Sequence, residues 1–190
     1  ELSYLWTVNI GMALENIRKW QWINRMNEKI NRMWKYDMLT QVLNRSGFFY
    51  CAETILQKIK EEKSNAFIIF LDIDGLKSVN DNLGHEIGDA FIAKIAGILK
   101  EVVPKDCLIM RYGGDEFVVF GSCKQAGRMQ RIAEDIKAAI KTADQKENRS
   151  YHLAASLGCS LHKSYEMDNL NSLIELADKK MYEEKKNKRR

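Results

Sequence analysis

The chain opens on a long helical pattern. Ile10, Ala13, Ile17 and Trp20 recur at the alternating three-and-four spacing of a coiled-coil seam, and Ile23, Met26, Ile30 and Met33 repeat it in a register shifted by one. Residues 1–36 contain no proline. The pattern predicts one helix that cannot bury its two apolar seams by itself. Helical patterns beyond roughly 25 residues usually belong to coiled coils, repeats or membrane spans. A dimerising linker helix that carries a signal is therefore expected, against the alternative of a helix packed back on its own domain.

The pattern changes at Asp37. Residues 46–62, 86–102, 124–143 and 169–187 read as helices, with Ile87, Phe91, Ile92, Ile95 and Ile98 on one face of the second. The run from Ala66 to Ile73 is almost continuously apolar, as in a buried central strand. Leu108–Arg111 and Phe117–Phe120 flank Gly113-Gly114 and predict a β-hairpin. Leu153 to Leu161 predicts a last strand. Strands alternating with helices and interrupted by one hairpin predict an α/β (α+β) sandwich with a mixed central sheet flanked by helices. The expected division is a linker helix over 1–36 and a catalytic domain over 37–190.

Bulk properties narrow the class. A length of 190 residues fits one domain and an appendage, and 45% hydrophobic with 29% charged residues is ordinary for a soluble protein. No apolar run approaches the roughly 20 residues of a membrane span. A net charge of +4 is too small to argue for a nucleic-acid partner. Basic residues gather at Lys179-Lys180 and from Lys185 to Arg190, which reads first as a solvated helix end. Cys51, Cys107, Cys123 and Cys159 form no C-x-x-C pair and read as reduced thiols of a cytoplasmic protein. The sequence begins at Glu1, so a fragment is expected, with a sensor or membrane region upstream.

Two acidic pairs carry the chemistry. Asp115 and Glu116 follow the Gly113-Gly114 turn and lead into an apolar strand. Carboxylates are depleted in strands and costly at a buried strand end unless a cation meets them. Asp72 and Asp74 alternate around Ile73, so both point to one side. If that strand and the hairpin are sheet neighbours, Asp72, Asp115 and Glu116 converge. Such a cluster suits a hard divalent cation that keeps positions open for phosphate. Two such ions could activate a hydroxyl and neutralise a leaving pyrophosphate. The phosphate-loop, dinucleotide and nucleophile-elbow motifs are absent, and His85, His152 and His162 lack metal spacing. Trp20, Trp22 and Trp34 read as packing residues of the first helix.

These motifs resemble a known family. Arg111-Tyr112-Gly113-Gly114-Asp115-Glu116-Phe117 is similar to the name-giving motif of GGDEF-domain diguanylate cyclases. Four further stretches match in the family's order. They are Asp37 to Arg45, Asp72 to Asp89, Ser156-Leu157-Gly158, and Ala177 to Lys185. The resemblance spans 37–190. It implies that Asp72, the carbonyl of Ile73, Asp115 and Glu116 hold two Mg²⁺ (or Mn²⁺) ions per site. Asp115 or Glu116 would help deprotonate the ribose 3′-hydroxyl. Asn80 and Asp89 would read guanine, whose N1–H and N2–H₂ donors adenine lacks, so Asp89 argues for GTP. The backbone of Gly75 and Leu76 would approach the phosphates, and Lys77, Lys185 and Arg189 would offset their charge. Lys185 and Arg189 share a helix face.

The implied reaction joins two GTP into cyclic di-GMP and releases two pyrophosphates. Two domains meet face to face in a homodimer, so a monomer would be inactive, and the N-terminal helix would raise the effective concentration. A GTP-binding regulatory module without activity is the alternative. Two departures stand out. Pro104-Lys105-Asp106-Cys107 replaces the family's inhibitory Arg-x-x-Asp, so product inhibition through that site is not expected. Gly75 stands where a bulky residue is common.

Overall fold

Residues Asn65–Ile73 form β1, the strand around which the domain is built. In the computed structural model, which describes the backbone of residues 2–146, 151–163 and 169–188 and their side chains except those of 2–11 and 13, β1 is central. The hairpin strands are β2 (Leu108–Arg111) and β3 (Glu116–Cys123), and the last strand is β4 (Ala155–His162). Their order is β2-β3-β1-β4, and every pairing is antiparallel. The parallel component is an isolated bridge between Leu43 and Met110 at the sheet's edge.

The continuous apolar run of β1 follows from burial on both faces. Phe67, Ile69, Leu71 and Ile73 join one core, whereas Ala66, Ile68 and Phe70 join the other. The first core lies under α4 (His85–Val102) and α5 (Arg128–Lys146), supplied by Phe91, Ile95, Ile132 and Ile136. The second lies under α2 (Arg45–Glu61) and α6 (Leu170–Lys188), supplied by Phe48, Ile59, Ile174 and Met181. Gly158 of β4 brings α6 close, since a Cβ there would collide with the Ala177 carbonyl and the Met181 backbone.

One element was not foreseen. The segment after β1, read as a substrate loop, forms α3 (Leu76–Leu83). Gly75 caps its start at φ +80°, a left-handed conformation that side chains make costly. That is the physical reason for glycine there in place of a bulky residue.

The long N-terminal helix is α1 (Leu2–Lys35). Ile17, Trp20, Ile23, Ile30 and Met33 all remain exposed, so the helix is not packed along the domain. Among the described residues, it is the end of the helix that is fastened. The Asn44 carboxamide donates to the carbonyls of Met33 and Tyr36 at 3.1 and 3.3 Å and accepts from Gly47 N–H at 2.9 Å, capping α2. Trp34 packs edge-on against Tyr50. Among the described residues, no helix is long and apolar enough to cross a membrane.

Candidate active site

Strand parity assembles the acidic site. Even-numbered β1 residues face α6, so Asp72 and Asp74 lie on that face. Asp72 is in register with Glu116 on one side and Ser156 on the other. Both neighbours belong to the same even-numbered set as Val118 and Phe120, or flank the odd-numbered Ala155 and Leu157 of the opposite core. Three polar residues thus form a row across the sheet's end. Asp115 sits in the turn beside them, where its carbonyl accepts the Ile73 N–H at 3.0 Å. That bond pins the acidic turn to the end of β1.

The charges respond to this crowding. Burial pushes the Asp72 carboxyl above its ordinary range. Lys185, hydrogen-bonded to its Oδ1, pulls the other way, and nearby Asp115 and Asp74 add to the rise. Glu116 is also raised, by burial first and then by Asp115, Asp72 and Asp178. Asp178 of α6 is a member of this cluster whose electrostatic part was not read from the sequence.

The acidic turn is held from behind. The Arg111 guanidinium donates to the Gly114 carbonyl at 3.2 and 2.8 Å, and to both Asp37 oxygens at 3.1 and 3.2 Å. Asp37 also accepts the Thr40 N–H at 2.8 Å and its hydroxyl at 2.6 Å. Burial raises the Asp37 carboxyl, but the bonds from Thr40 and Arg111 outweigh it and leave the group below its ordinary value.

The remaining expected residues that are described lie on or beside α3, on α4 and on α6. Gly75 and Leu76 lie at its N-terminal end, where backbone N–H groups and the helix dipole favour anions. The Leu76 side chain is buried, and that of Lys77 is exposed. Asn80 lies in the second half of α3, and its Oδ1 occupies the space that a Cβ on Gly88 would need. Asp89 follows Gly88 on α4 and is exposed. The contact brings the Asn80 carboxamide next to the residue that precedes Asp89. Lys185 reaches Asp72, as noted. Arg189 lies outside the described residues.

The donor set suits a hard cation, being all oxygen and clustered enough for Asp115 to raise both Asp72 and Glu116. Among the described residues, no three acidic, histidine or cysteine side chains form a ready-made metal cage. Mg²⁺ seldom needs one, since it is commonly bound through one or two carboxylates plus substrate phosphates. The Lys185 ammonium on Asp72 marks where positive charge is wanted.

Known proteins are similar to this chain in sequence and in fold. The family model described as "Diguanylate cyclase, GGDEF domain" matches residues 34–190. Diguanylate cyclase A of Treponema denticola is 29% identical over 193 residues, covering 100% of this chain and 52% of that protein. Diguanylate cyclase VdcA of Vibrio cholerae is 32% identical over 168 residues, covering 86% of this chain and 48% of its own length. This chain thus spans about half the length of each relative. The fold is similar to a crystal structure of the coiled coil and GGDEF domain of DgcB from Caulobacter crescentus in complex with c-di-GMP. The TM-score is 0.81 at 23% identity, over 93% of this chain and 94% of that one. The acidic turn, the residues that meet it and the family match over 34–190 together place this chain in the GGDEF-domain diguanylate cyclase family.

Proposed function

We propose that this chain is an active diguanylate cyclase, which condenses two GTP into cyclic di-GMP with release of two pyrophosphates. The observation that carries the reading is the row Glu116–Asp72–Ser156 across the sheet's end, with Asp115 pinned beside it and Lys185 reaching in from α6. Diguanylate cyclase A and VdcA bear the activity in their names.

Each domain would hold one GTP. Asn80 and Asp89 take the guanine edge, and a carboxylate acceptor there discriminates against adenine. The start of α3, at Gly75 and Leu76, receives the phosphates, while Lys77, Lys185 and Arg189 offset their charge. Asp72, the Ile73 carbonyl, Asp115 and Glu116 would hold divalent cations, two per site. Bound there, such ions lower the cost of forming an alkoxide and of expelling pyrophosphate. Asp115 or Glu116 accepts the proton of the 3′-hydroxyl, which attacks the α-phosphate of the GTP on the facing domain.

The reaction needs two domains, so the exposed seam of α1 is given a homodimer as its purpose. We assign residues 1–36 to that linker and 37–190 to the catalytic domain, working in the cytoplasm where GTP is available. Without an Arg-x-x-Asp at 104–107, feedback through that site is not expected. The decisive experiment incubates purified, demonstrably dimeric protein with GTP and Mg²⁺ and separates the nucleotides. Cyclic di-GMP is the expected product. Tight GTP binding with no product would instead establish the inactive regulatory module.

A further inference from the structure

Two lysines of α6 reach two aspartates, one at the end of β1 and one in the turn that follows it, and they do so in step. Lys185 and Lys188 are three residues apart and share a helix face. Asp72 and Asp74 are two apart and share a sheet face. Lys185 bonds to Asp72. Lys188 Nζ donates to Asp74 Oδ2 at 3.1 Å, to the Ala155 carbonyl at 2.7 Å and to Ser156 Oγ at 3.1 Å. Ser156 is fully buried and turns its hydroxyl to Asp74 Oδ1 at 2.8 Å and Oδ2 at 3.1 Å. An ammonium has three hydrogens, and here each has an acceptor. Glu184 adds a further negative charge at 3.4 Å.

The two ties differ in what substrate binding asks of them. A metal ion that took Asp72 Oδ1 would displace Lys185, whose ammonium bonds to that oxygen. The tie through Lys188 uses groups that the cyclase reading assigns to neither metal nor GTP. It also reaches both the turn after β1 and the start of β4, so it holds the helix over the strand ends by two anchor points.

We infer that Lys188 is a positioning residue. Through Asp74, Ser156 and the Ala155 carbonyl it keeps the last turn of α6 over the end of β1. Lys185 then stays within reach of the reacting phosphates after it leaves Asp72. This inference rests on the cyclase reading. In the sequence, Lys188 is hidden within a basic run that reads as a solvated helix end.

The test compares the 190-residue wild type with Lys188→Met, which keeps the aliphatic stem, and Lys188→Arg, which restores the charge. Amide hydrogen exchange is followed over residues 183–188 with Mg²⁺ and a non-hydrolysable GTP analogue. Lys188→Met is expected to exchange there about tenfold faster, with β1 and β3 unchanged. With GTP, its kcat should fall about tenfold and its KM change much less. Lys188→Arg should recover most of both effects. Unchanged exchange in Lys188→Met overturns the inference. So does faster exchange with an unaltered kcat, since Lys185 would then need no such support. A dimeric wild type that forms no cyclic dinucleotide overturns the cyclase reading instead, and the exchange comparison still decides whether Lys188 holds the helix.

Discussion

Asp37 and Arg111 are 74 positions apart in the chain, yet the guanidinium of one donates to both carboxylate oxygens of the other. The same guanidinium holds the Gly114 carbonyl in the acidic turn. Asp37 lies two residues after the end of α1. The segment that follows α1 is therefore tied to the turn that carries Asp115 by a chain of hydrogen bonds.

Asp37→Asn should weaken that coupling. Charge-assisted hydrogen bonds of this kind are worth about 2 kcal/mol, and urea unfolding should show a loss of that order. The pH dependence follows from the depressed carboxyl. Its stabilisation is complete above the ordinary value of 3.8 and disappears as pH falls through the lower folded value. The gap between wild type and variant should close below that point. A gap that widens in acid would contradict the assignment.

Gly158→Ala should destabilise the fold. The added methyl would meet backbone atoms of Ala177 and Met181, which cannot swing aside as a side chain could. Overpacking of this sort costs about 2 kcal/mol. Thermal unfolding should register it as a lower midpoint, and α6 should shift away from β4. An unchanged midpoint would mean that the helix is less closely seated than the geometry requires.

Asp115→Ala should abolish turnover while leaving the fold intact, because the hydrogen bond that pins the turn comes from the Asp115 backbone rather than its side chain. Far-ultraviolet circular dichroism and product analysis separate the two effects. Turnover equal to that of wild type would remove Asp115 from the metal and catalytic roles proposed for it.

Asp89→Ala should lose selectivity for guanine with little change in stability, since the side chain is exposed. A lost charged hydrogen bond predicts a fall in GTP affinity of about tenfold or more. Competition between GTP and ATP measures it. Undiminished preference for GTP would move guanine recognition elsewhere.

Ile23→Asp combined with Ile30→Asp should leave the catalytic domain folded, because both side chains are exposed on α1. Cyclisation should then become strongly dependent on protein concentration, as expected when a second domain is no longer held nearby. Sedimentation and specific activity across a dilution series read both consequences. A variant that stays dimeric and active at low concentration would show that α1 does not provide the association.

Periodicity was sufficient for most elements, because apolar residues recur at 3.6 in α2, α4, α5 and α6 and run unbroken where β1 is covered on both faces. It failed over 76–83. That helix is short, so it offers barely two turns of pattern, and the glycines at both ends resemble loop signals. The acidic residues of the site were legible because Asp and Glu at a strand end contradict local propensity. Asp74, Ser156 and Lys188 were not assigned to one cluster, because each has an ordinary local reading as a turn acid, a strand serine or a solvated lysine.

The order of motifs and the alternation along β1 determined which residues are the candidates for the chemistry and which side of the strand Asp72 occupies, since both are properties of neighbours in the chain. Tertiary structure decided the rest. It set Glu116 and Ser156 on either side of Asp72, brought Lys185 and Lys188 onto Asp72 and Asp74, and joined Asp37 to the turn through Arg111. Those pairings depend on strand order and on how closely α6 seats at Gly158. Both come from burying two faces of one sheet at once, a condition that no local stretch of sequence can express.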